Sequence, residues 1–498
     1  MRLIQMVILV CGSILSAGLA VIQPAQAQLK SQQAVYQTTG IKVCEVDASS
    51  AVIWARLTRN PERMDETHPM PLVRYRNPET GELGERNKKR PAVPPVVEFI
   101  DGSDIESIEG AVPGASGQVR VQYRPKGEAE WQFTRWTDVD PYRDYTAQIL
   151  LGNLQPATAY ELWVTSRTGV EGDFGQSVNG GFRTAANEND PQRVVFTVST
   201  GQAYNDHDLP DGYKIYEQML KLDPDFFVHT GDIVYYDTYG KTQALARWHW
   251  ARTYSFPTNV NFHRQVASYF IKDDHDTWRN DCWPTWDNPF MGEFTFEQGL
   301  WIFREQVGMK EKTYRTVRWG KDLQIWMVEG RDFRSENDAP DEPGKTIWGK
   351  EQKEWFKRTV NESDATYKVL MSPTPVIGPD RDSKNDNHAN EGFTHEGNEI
   401  RKFIAAQKNM VVVCGDRHWQ YVSVDAKTSV HEYSCGPASD EHAGGWSNDK
   451  RYPEHKYLNV IGGFLAGTVE RINDQPVLIF RHYGVDGRML NEDRFTGQ

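Results

Sequence analysis

Apolar and polar residues alternate along short segments between about residues 40 and 184, and this period of two is typical of β-strands. Turn residues such as Gly152, Asn153 and Pro156 separate the segments. Several short strands joined by turns predict an all-β sandwich. A stretch rich in proline and charge at about 59–112 interrupts the pattern, and we predict that it is a long surface loop. The clearest strand segments are 51–57, 117–123, 145–150 and 160–165.

Beyond a polar linker at 185–191 the pattern changes to apolar strands that alternate with amphipathic helices. Such alternation predicts α/β layers. The chain ends in β-rich segments near 477–482. The predicted strands are 193–199, 225–229, 324–328, 367–370 and 410–414, and the predicted helices are 211–220, 349–360 and 397–407.

The N-terminus has the features of an export signal. Arg2 precedes an apolar run at 6–22, and Ala25-x-Ala27 is a small-residue cleavage pattern. We therefore predict a signal peptide at 1–27, with export by the general secretory route to the periplasm or the extracellular space, because no twin arginine precedes the run. A membrane anchor is the alternative. No later segment is apolar and long enough to cross a bilayer, so no anchor is expected after cleavage.

Composition narrows the function classes. The 498 residues include 16 Trp, and this aromatic content excludes low-hydrophobicity disorder. The net charge of −13 disfavours a nucleic-acid platform, because binding to phosphates needs Lys and Arg. An acidic chain can still bind a small phosphate ester if metal ions supply positive charge. Four cysteines remain after the signal, and we predict that at least two are isolated core thiols. They are Cys44, Cys282, Cys414 and Cys435.

Three acidic or histidine clusters share one placement, because each directly follows an apolar strand. They are Gly231-Asp232, Asp273-Asp274-His275 and Gly415-Asp416-Arg417-His418. Each motif alone is usually a turn, a cap or a solvated loop. Strand ends of α/β sheets gather ligands, and carboxylates and imidazoles that converge there favour a metal site. Three such clusters in order therefore predict one metal centre.

With these motifs, residues 194–418 resemble the PhoD-like (alkaline phosphatase D) branch of the calcineurin-like metallophosphoesterases. The resemblance implies that Asp232 bridges two metals, that Tyr235 binds as a tyrosinate, and that Asp274 binds the second metal. It implies that Asp416 and His418 bind the first metal and that His275 acts near the leaving group. Arg331 becomes a candidate phosphate contact, and Asp276 stands where the family has Glu.

The resemblance also implies the architecture and the activity. We expect a four-layer αββα metallophosphoesterase sandwich at 189–498, preceded at 28–188 by an all-β immunoglobulin or fibronectin-like sandwich. Residues 154–160 and 181–184 resemble the end of a fibronectin type III domain. The implied function is that of a secreted or periplasmic phosphomonoesterase or phosphodiesterase, which uses a metal-activated water on a small phosphate ester. The oligomeric state stays open.

One position departs from the family. Gly201 stands where the family usually has a cysteine ligand, and a glycine has no side chain to bind metal. We expect two or more divalent ions, with calcium favoured and with iron, manganese, magnesium and zinc as alternatives. Asp206 and His207 are either replacement ligands or helix caps. Asp386, Asn387 and His388 are either second-metal ligands or part of a polar surface loop.

Two other functions are compatible with the sequence. A scaffold that has lost activity could serve as a binding protein, which Gly201 favours and the retained motifs oppose. The same metal chemistry could also act on a phosphotriester, lactone or sulfate ester. We predict packing or surface roles for His229, His431, His442 and His482, and a packed helix at 247–250 in preference to a sugar platform.

Overall fold

The N-terminal region is built from strands, as its alternating pattern predicts. A computed structural model describes residues 34–77, 79–84 and 94–495. The predicted signal peptide at 1–27 lies outside these residues. The strands of this region are β1 (Ile41–Cys44), β2 (Ala51–Arg56), β3 (Leu72–Arg76), β4 (Leu83–Gly84), β5 (Val96–Glu98), β6 (Gln118–Pro125), β7 (Gln132–Phe133), β8 (Thr137–Asp138), β9 (Thr146–Leu151), β10 (Ala159–Arg167) and β11 (Phe174–Arg183).

The remaining elements alternate between strand and helix before a β-rich end, again as predicted. The helices are α1 (Lys214–Leu220), α2 (Gln243–Tyr254), α3 (Pro257–His263), α4 (Phe296–Gln306), α5 (Gly349–Glu362) and α6 (Thr394–Ala405). The strands are β12 (Val194–Ser199), β13 (Phe226–His229), β14 (Ala267–Phe270), β15 (Arg315–Trp319), β16 (Leu323–Met327), β17 (Tyr367–Ser372), β18 (Met410–Cys414), β19 (Gln420–Val424), β20 (His431–Cys435), β21 (His455–Asn459), β22 (Phe464–Ile472), β23 (Gln475–Tyr483) and β24 (Met489–Phe495).

Two large sheets form the centre of the molecule. One has nine strands in the order β24-β23-β22-β12-β13-β14-β1-β2-β9, and the other has seven in the order β15-β16-β17-β18-β20-β19-β21. Strands β12, β13 and β14 are parallel in the first sheet, and β16, β17, β18 and β20 are parallel in the second. Parallel strands end at the same edge of a sheet, so the loops that follow them lie side by side.

Side chains alternate between layers along these strands. Phe226 and Val228 of β13 point into the core between the sheets, whereas Phe227 packs with Tyr216 of α1. In β17, Val369 and Met371 face the same central core, and the intervening Leu370 packs with the α5 and α6 side chains. Helices thus cover the outer face of each sheet, which confirms the predicted αββα sandwich.

The N-terminal strands do not form a separate body. Strand β1 pairs in parallel with β14, with Cys44 opposite Ser268, so β1, β2 and β9 extend the nine-stranded sheet. The second sheet of this region, β11-β10-β6-β7, packs on them through Val121, Leu162 and Val164 in the continuous central core. The domain boundary at 188/189 stays a prediction. Backbone hydrogen bonds between β1 and β14 join the regions on either side of it.

The segment 59–112 is more structured than the predicted surface loop. Strands β4, β3 and β5 make a small sheet within its described part. Ile108 and Ala111 are buried against Leu245 and Trp248 of α2, because the segment supplies apolar residues as well as charge. Helix α2 is buried along most of its length, in agreement with the packed helix predicted at 247–250.

Two remaining features of the fold are the state of the cysteines and the length and polarity of the helices. Cys44, Cys282, Cys414 and Cys435 are all buried and unpaired, as isolated core thiols should be. Within the described residues, every helix is too short or too polar to cross a membrane.

Candidate metal centre

All three motifs lie at the carboxyl edge of the two central sheets. Asp232 follows β13, Asp274 follows β14 and Asp416 follows β18. Asp232, His275, Asp416 and His418 of these motifs line a cavity of about 500 Å³. Its lining residues include Asp232, His275, Asn280, Asp281, Arg381, Ser383, Lys384, Asp416, His418, Trp419, His442, Gly444 and Gly445.

The two Gly-Asp motifs share one backbone device. Asp232 and Asp416 both have left-handed backbone conformations, with φ of 56° and 61°, which cost energy for a residue with a Cβ. The glycine before each aspartate permits close contact between loops. A Cβ on Gly231 would lie 2.6 Å from Cβ of Asp273, and one on Gly415 would lie 2.4 Å from the Thr230 carbonyl oxygen. The motifs therefore bring loops from both sheets together and point the carboxylates at the cavity.

A phenol, imidazoles and a carboxylate form one side of the centre. The hydroxyl of Tyr235 lies 3.2 Å from Oδ2 of Asp232, 3.3 Å from Nε2 of His418 and 2.6 Å from Nε2 of His442. Nε2 of His418 lies 3.2 Å from the same Asp232 oxygen. We call Asp232, Tyr235, His418 and His442 the imidazole side.

Carboxylates dominate the other side. Ligand atoms of Asp274, Asp281 and Asp386 lie within 4.8 Å of one another, and so do those of Asp232, Asp274 and His275. Nζ of Lys384 is 2.5 Å from Oδ1 of Asp281 and 3.6 Å from Oδ2 of Asp386. We call Asp274, Asp281, Asp386 and Lys384 the carboxylate side. Asp232 lies between the two sides.

The residues of the Asp-Asp-His-Asp motif have two roles: Asp274 and His275 lie at the site, and Asp276 supports the loops around it. Asp276 is buried and accepts hydrogen bonds from the backbone N–H groups of Asp273, at 2.6 Å, and Ile233, at 3.0 Å. It therefore ties the loop after β14 to the loop after β13. The shorter Asp fills the position where the resemblance expects Glu, and its role here is structural.

His275 is placed to hold a proton. Its Nδ1 contacts Oδ2 of Asp237, and its ring lies 4.4 Å from the ring of Tyr235 between centroids. Burial acts to lower the pKa of His275, but the carboxylates of Asp237, Asp274 and Asp232 outweigh it and raise the pKa well above its ordinary value. This balance favours the cationic imidazole in the metal-free chain.

Burial also perturbs the ligand candidates. It raises the pKa of Asp232 to about 6 and, with the neighbouring carboxylates, raises the pKa of Tyr235 well above its ordinary value. Burial and the nearby His442 lower the pKa of His418, which favours the neutral imidazole that binds metals. For Asp274, burial is outweighed by Arg331 and His275, which hold the pKa well below its usual range.

The residues present fit divalent cations. Oδ1 of Asp232 is a buried acceptor that receives no hydrogen bond, although the same carboxylate adjoins Tyr235 and His418. Leaving a buried carboxylate oxygen unpaired is costly unless a cation compensates it. Carboxylate, phenolate and imidazole together are a donor set that binds divalent metals.

Comparison with known proteins agrees with this chemistry. Residues 300–459 match the family model described as PhoD-like phosphatase. The chain carries a PhoD-like domain. A structure titled "Structure of PhoD" superposes with a TM-score of 0.67 at 15% identity, over 92% of this chain and 89% of that one.

A second solved structure shares the fold of this chain. The purple acid phosphatase PPD1 from yellow lupin (Lupinus luteus) seeds has a TM-score of 0.61 at 11% identity, covering 91% of this chain and 73% of that one. No curated protein matches the sequence significantly. The family model and the two superpositions together confirm the predicted family resemblance and metallophosphoesterase fold.

The role predicted for Arg331 needs correction, because its side chain is completely buried behind the site. Its Nε lies 2.6 Å from Oδ1 of Asp273, and its Nη2 lies 3.7 Å from Asp274 and 3.9 Å from Asp386. A guanidinium enclosed by three carboxylates cannot reach a phosphate in the cavity. Arg331 is therefore a positioning residue behind the carboxylate side, and the prediction of a direct phosphate contact is wrong for this arrangement.

Three of the additional ligand candidates also point elsewhere. Asn387 is buried and donates to Oδ2 of Asp380 at 2.8 Å, and His388 bonds Glu396 at 3.0 Å. Nδ1 of His207 contacts the Tyr204 carbonyl oxygen at 2.6 Å. These contacts give the three residues structural hydrogen bonds, and a ligand role for them stays a prediction. Asp386, by contrast, belongs to the carboxylate side.

Asp206 reaches the centre through a residue that the sequence analysis misplaced. Its Oδ2 lies 2.7 Å from Nδ1 of His442, whose other nitrogen contacts Tyr235. His442 was predicted to have a packing or surface role, and this is wrong because it lines the cavity. The sequence feature that could have identified His442 is its position after strand β20, but the end of that strand was not recognised from the sequence.

Cationic groups at the cavity were missed for a similar reason. Arg381 and Lys384 lie on the loop after β17, 9 and 12 residues beyond its end at Ser372. They offer the positive charge that had been assigned to Arg331. A larger groove of about 1150 Å³, lined in part by Glu45, Lys312 and Trp355, lies away from all three motifs and contains no histidine.

Proposed function

We propose that this protein is an exported, metal-dependent hydrolase of small phosphate esters, a phosphomonoesterase or phosphodiesterase. The observation that carries the proposal is that loops of both sheets bring Asp232, Asp416 and His418 to the wall of one cavity, with Tyr235 and Asp274 adjoining Asp232. The PhoD-like family model over 300–459 supports the same reaction class.

The cavity has the size and charge for a small phosphate ester. Its volume of about 500 Å³ is within the range typical of small-molecule sites. Arg381 and Lys384 line it beside the ligand candidates, so a phosphate oxygen that is not held by metal has cationic partners. The overall charge of −13 disfavours a polynucleotide as the general substrate.

The chain would hold its metals through two groups of donors. Asp232, Tyr235, Asp416 and His418 are proposed for the first ion, and Asp232 with Asp274 for the second, with Asp386 as a further donor on the carboxylate side. Bound divalent ions would stabilise charge on the phosphoryl oxygens and acidify a water molecule. Calcium suits the oxygen-rich carboxylate side best.

The protein's own groups do the remaining work. His275 holds a proton beside the cavity and can deliver it to the departing alcohol, while Asp237 fixes the orientation of its ring. Arg381 and Lys384 orient the phosphate. Asp276 and Arg331 keep the loops and carboxylates in place from behind the site.

Export to the periplasm or outside the cell is part of the proposal and rests on the sequence of residues 1–27. Fractionation of cells that express the full chain, followed by mass measurement of the N-terminus, tests it. A mature chain that begins at residue 28 in the exported fraction is the expected result. Retention of the whole chain in the cytosol would refute it.

The central experiment is Asp232→Asn, assayed on nitrophenyl phosphate and bis-nitrophenyl phosphate after chelation and reloading with single metals. Asp232 is the residue shared by both sides, so we expect turnover to fall at least about 1000-fold with the fold intact by circular dichroism. The matched control is Asp208→Asn, an aspartate that caps α1 through the Lys214 N–H. Activity near the wild-type level in Asp232→Asn would refute the proposal.

The same assay separates the alternatives. A binding protein on an inactive scaffold predicts no turnover of either ester with calcium, magnesium, manganese, zinc or iron. A hydrolase of another ester predicts turnover of a nitrophenyl sulfate or a phosphotriester that exceeds turnover of both phosphate esters.

A further inference from the structure

The strongest unassigned feature of the centre is His442. It lies on the loop between β20 and β21, and its Nε2 is 2.6 Å from the Tyr235 hydroxyl. Its ring centroid is 4.2 Å from that of His418, and it lines the same cavity. Within the described residues, this loop gives the imidazole side a second histidine.

We propose that His442 is a ligand of the metal ion held by Asp232, Tyr235 and His418, and that Asp206 is the positioning residue that orients its ring. The inference deepens the proposed function and rests on its metal centre. It assigns this ion to the first-row transition metals, such as zinc, manganese or iron, because two imidazoles and a phenolate suit these ions better than calcium.

The spacing of the donor atoms supports this assignment. Two ligand atoms bound at about 2.1 Å to one ion lie roughly 3 Å apart. The four donors here are separated by 2.6 Å for Tyr235 to His442, 3.2 Å for Asp232 to Tyr235 and to His418, and 3.3 Å for Tyr235 to His418. These four of the six donor separations have the lengths that the edges of one coordination shell require.

The second nitrogen of His442 has the partner that a ligand needs. Its Nδ1 lies 2.7 Å from Oδ2 of Asp206. A metal-binding histidine usually donates its other N–H to a carboxylate, which fixes the tautomer and the direction of the free lone pair. With the proton on Nδ1, the lone pair of Nε2 points to the Tyr235 oxygen and the space beside it.

The backbone holds His442 in this position from both sides. Pro437 makes a parallel bridge with Thr200, and the Ala438 N–H donates to the Gly201 carbonyl at 3.1 Å. On the other side of His442, the Gly444 N–H donates to the carbonyl of His418 at 3.0 Å. The loop is therefore fastened both to the Gly201 loop and to the residue that carries the other imidazole.

Gly201 makes room for this arrangement. A Cβ at position 201 would lie 3.1 Å from Cβ of Pro437 and 3.2 Å from Nε2 of His418, and the residue has φ of +58°. A side chain there would press on the His418 ring and on the loop that carries His442. The chain thus supplies a nitrogen ligand from the β20–β21 loop at a point where the β12 loop offers no side chain.

Direct metal binding is the test, with no dependence on turnover. The full chain is stripped with chelator and titrated with Co²⁺, whose visible absorption reports the number and type of ligands, for the wild type, His442→Ala, His442→Gln and Asp206→Asn. We expect a loss of Co²⁺ affinity on the order of 100-fold for the two His442 variants and on the order of 10-fold for Asp206→Asn, with a changed spectrum in all three.

Two comparisons keep the result decisive. His442→Gln retains a hydrogen-bonding side chain, so unchanged Co²⁺ affinity and spectrum in that variant would show that His442 only bonds Tyr235, and would overturn the inference. His207→Ala removes the imidazole next to Asp206, which bonds a backbone carbonyl instead, and should leave binding unchanged. Metal-free thermal unfolding confirms that each variant folds.

The outcome is separable from that of the proposed function. Loss of Co²⁺ from His442→Ala in a protein that hydrolyses no phosphate ester would support the ligand assignment and refute the activity. Unchanged Co²⁺ binding in the His442 variants of an active enzyme would do the reverse. A wild-type chain that binds Ca²⁺ but no Co²⁺ at the centre would overturn the transition-metal assignment.

Discussion

The two sides of the metal centre differ in how the protein balances their charge. On the carboxylate side, Arg331 and Lys384 offset part of the charge of Asp274, Asp281 and Asp386. On the imidazole side, the Tyr235 hydroxyl and the His418 imidazole contact Asp232, and its Oδ1 receives no hydrogen bond. Built-in cations therefore reduce the dependence of the first group on metal, whereas the second relies more on a bound ion. This contrast predicts different responses to mutation, to metal and to pH.

The largest effect is expected on the carboxylate side, from Arg331→Met. This change leaves Asp273, Asp274 and Asp386 buried without their shared cation, and breaking such a buried pair typically costs about 3–5 kcal/mol. Urea unfolding of the metal-free protein measures the loss, and saturating Ca²⁺ should restore part of it. Arg358→Met is the control, because that guanidinium is exposed and pairs with Glu362 on the surface of α5. An unaltered unfolding midpoint in Arg331→Met would contradict the role of Arg331 as the cation that offsets these carboxylates.

A second test is metal selectivity. His418→Ala should weaken Zn²⁺ binding by about 10- to 100-fold with a smaller effect on Ca²⁺, and Asp386→Asn should do the opposite, because imidazole prefers transition metals and carboxylate prefers hard cations. Elemental analysis after dialysis against each ion provides the measurement. If both variants lose both ions equally, the two sides act as one undivided site.

A third test concerns the cavity wall above both sides. Arg381 lines the cavity half-exposed, next to Asp380 and the Trp419 ring. Arg381→Ala should raise the KM for nitrophenyl phosphate about 10-fold and change kcat little, because one phosphate hydrogen bond is lost. Arg381→Lys should recover part of the loss. A large fall in kcat with an unchanged KM would place Arg381 in the chemical step.

The smallest expected effect is on pH dependence. Burial raises the pKa of Asp232 to about 6 from 3.8, so the folded metal-free chain binds this proton more tightly than the unfolded chain. Its contribution to stability is full below about pH 4 and is lost as the pH rises through about 6, by roughly 1 kcal/mol or more. Urea midpoints at pH 4, 5 and 7 should show the loss, and Asp232→Asn or added Zn²⁺ should flatten it. A slope that is identical in Asp232→Asn would exclude Asp232 as its source.

The regular elements were largely predictable, because each strand that carries a motif is apolar and short. The strand predicted at 410–414 is β18, Met410–Cys414, and that at 367–370 is the start of β17. Parallel pairing then places Asp232 and Asp274 at one edge of the nine-stranded sheet, whereas the approach of Asp416 depends on how the seven-stranded sheet packs against it. The position of a motif that directly follows a strand can be predicted from the sequence, because the strand determines where the motif lies.

The parts that were missed lie in loops whose path only the tertiary structure determines. His442 follows Cys435 by seven residues, and Lys384 follows Ser372 by twelve, so no period relates them to a strand. Arg331 was misplaced for the opposite reason. Its position in the sequence is close to a strand end, but its charge is consumed by Asp273, which no local pattern reveals.

The pairing of β1 with β14 affects how the chain can fold. Strand β14 leads directly into the Asp-Asp-His-Asp loop, and its outer edge is covered by a strand that is synthesised more than 200 residues earlier. The first strand must therefore wait for its partner, and its hydrogen-bonding edge is open during synthesis. A shortened gene that starts at the linker would expose that edge of β14, with aggregation as the expected consequence, so the N-terminal region is an integral part of the catalytic sheet and cannot be removed as a module.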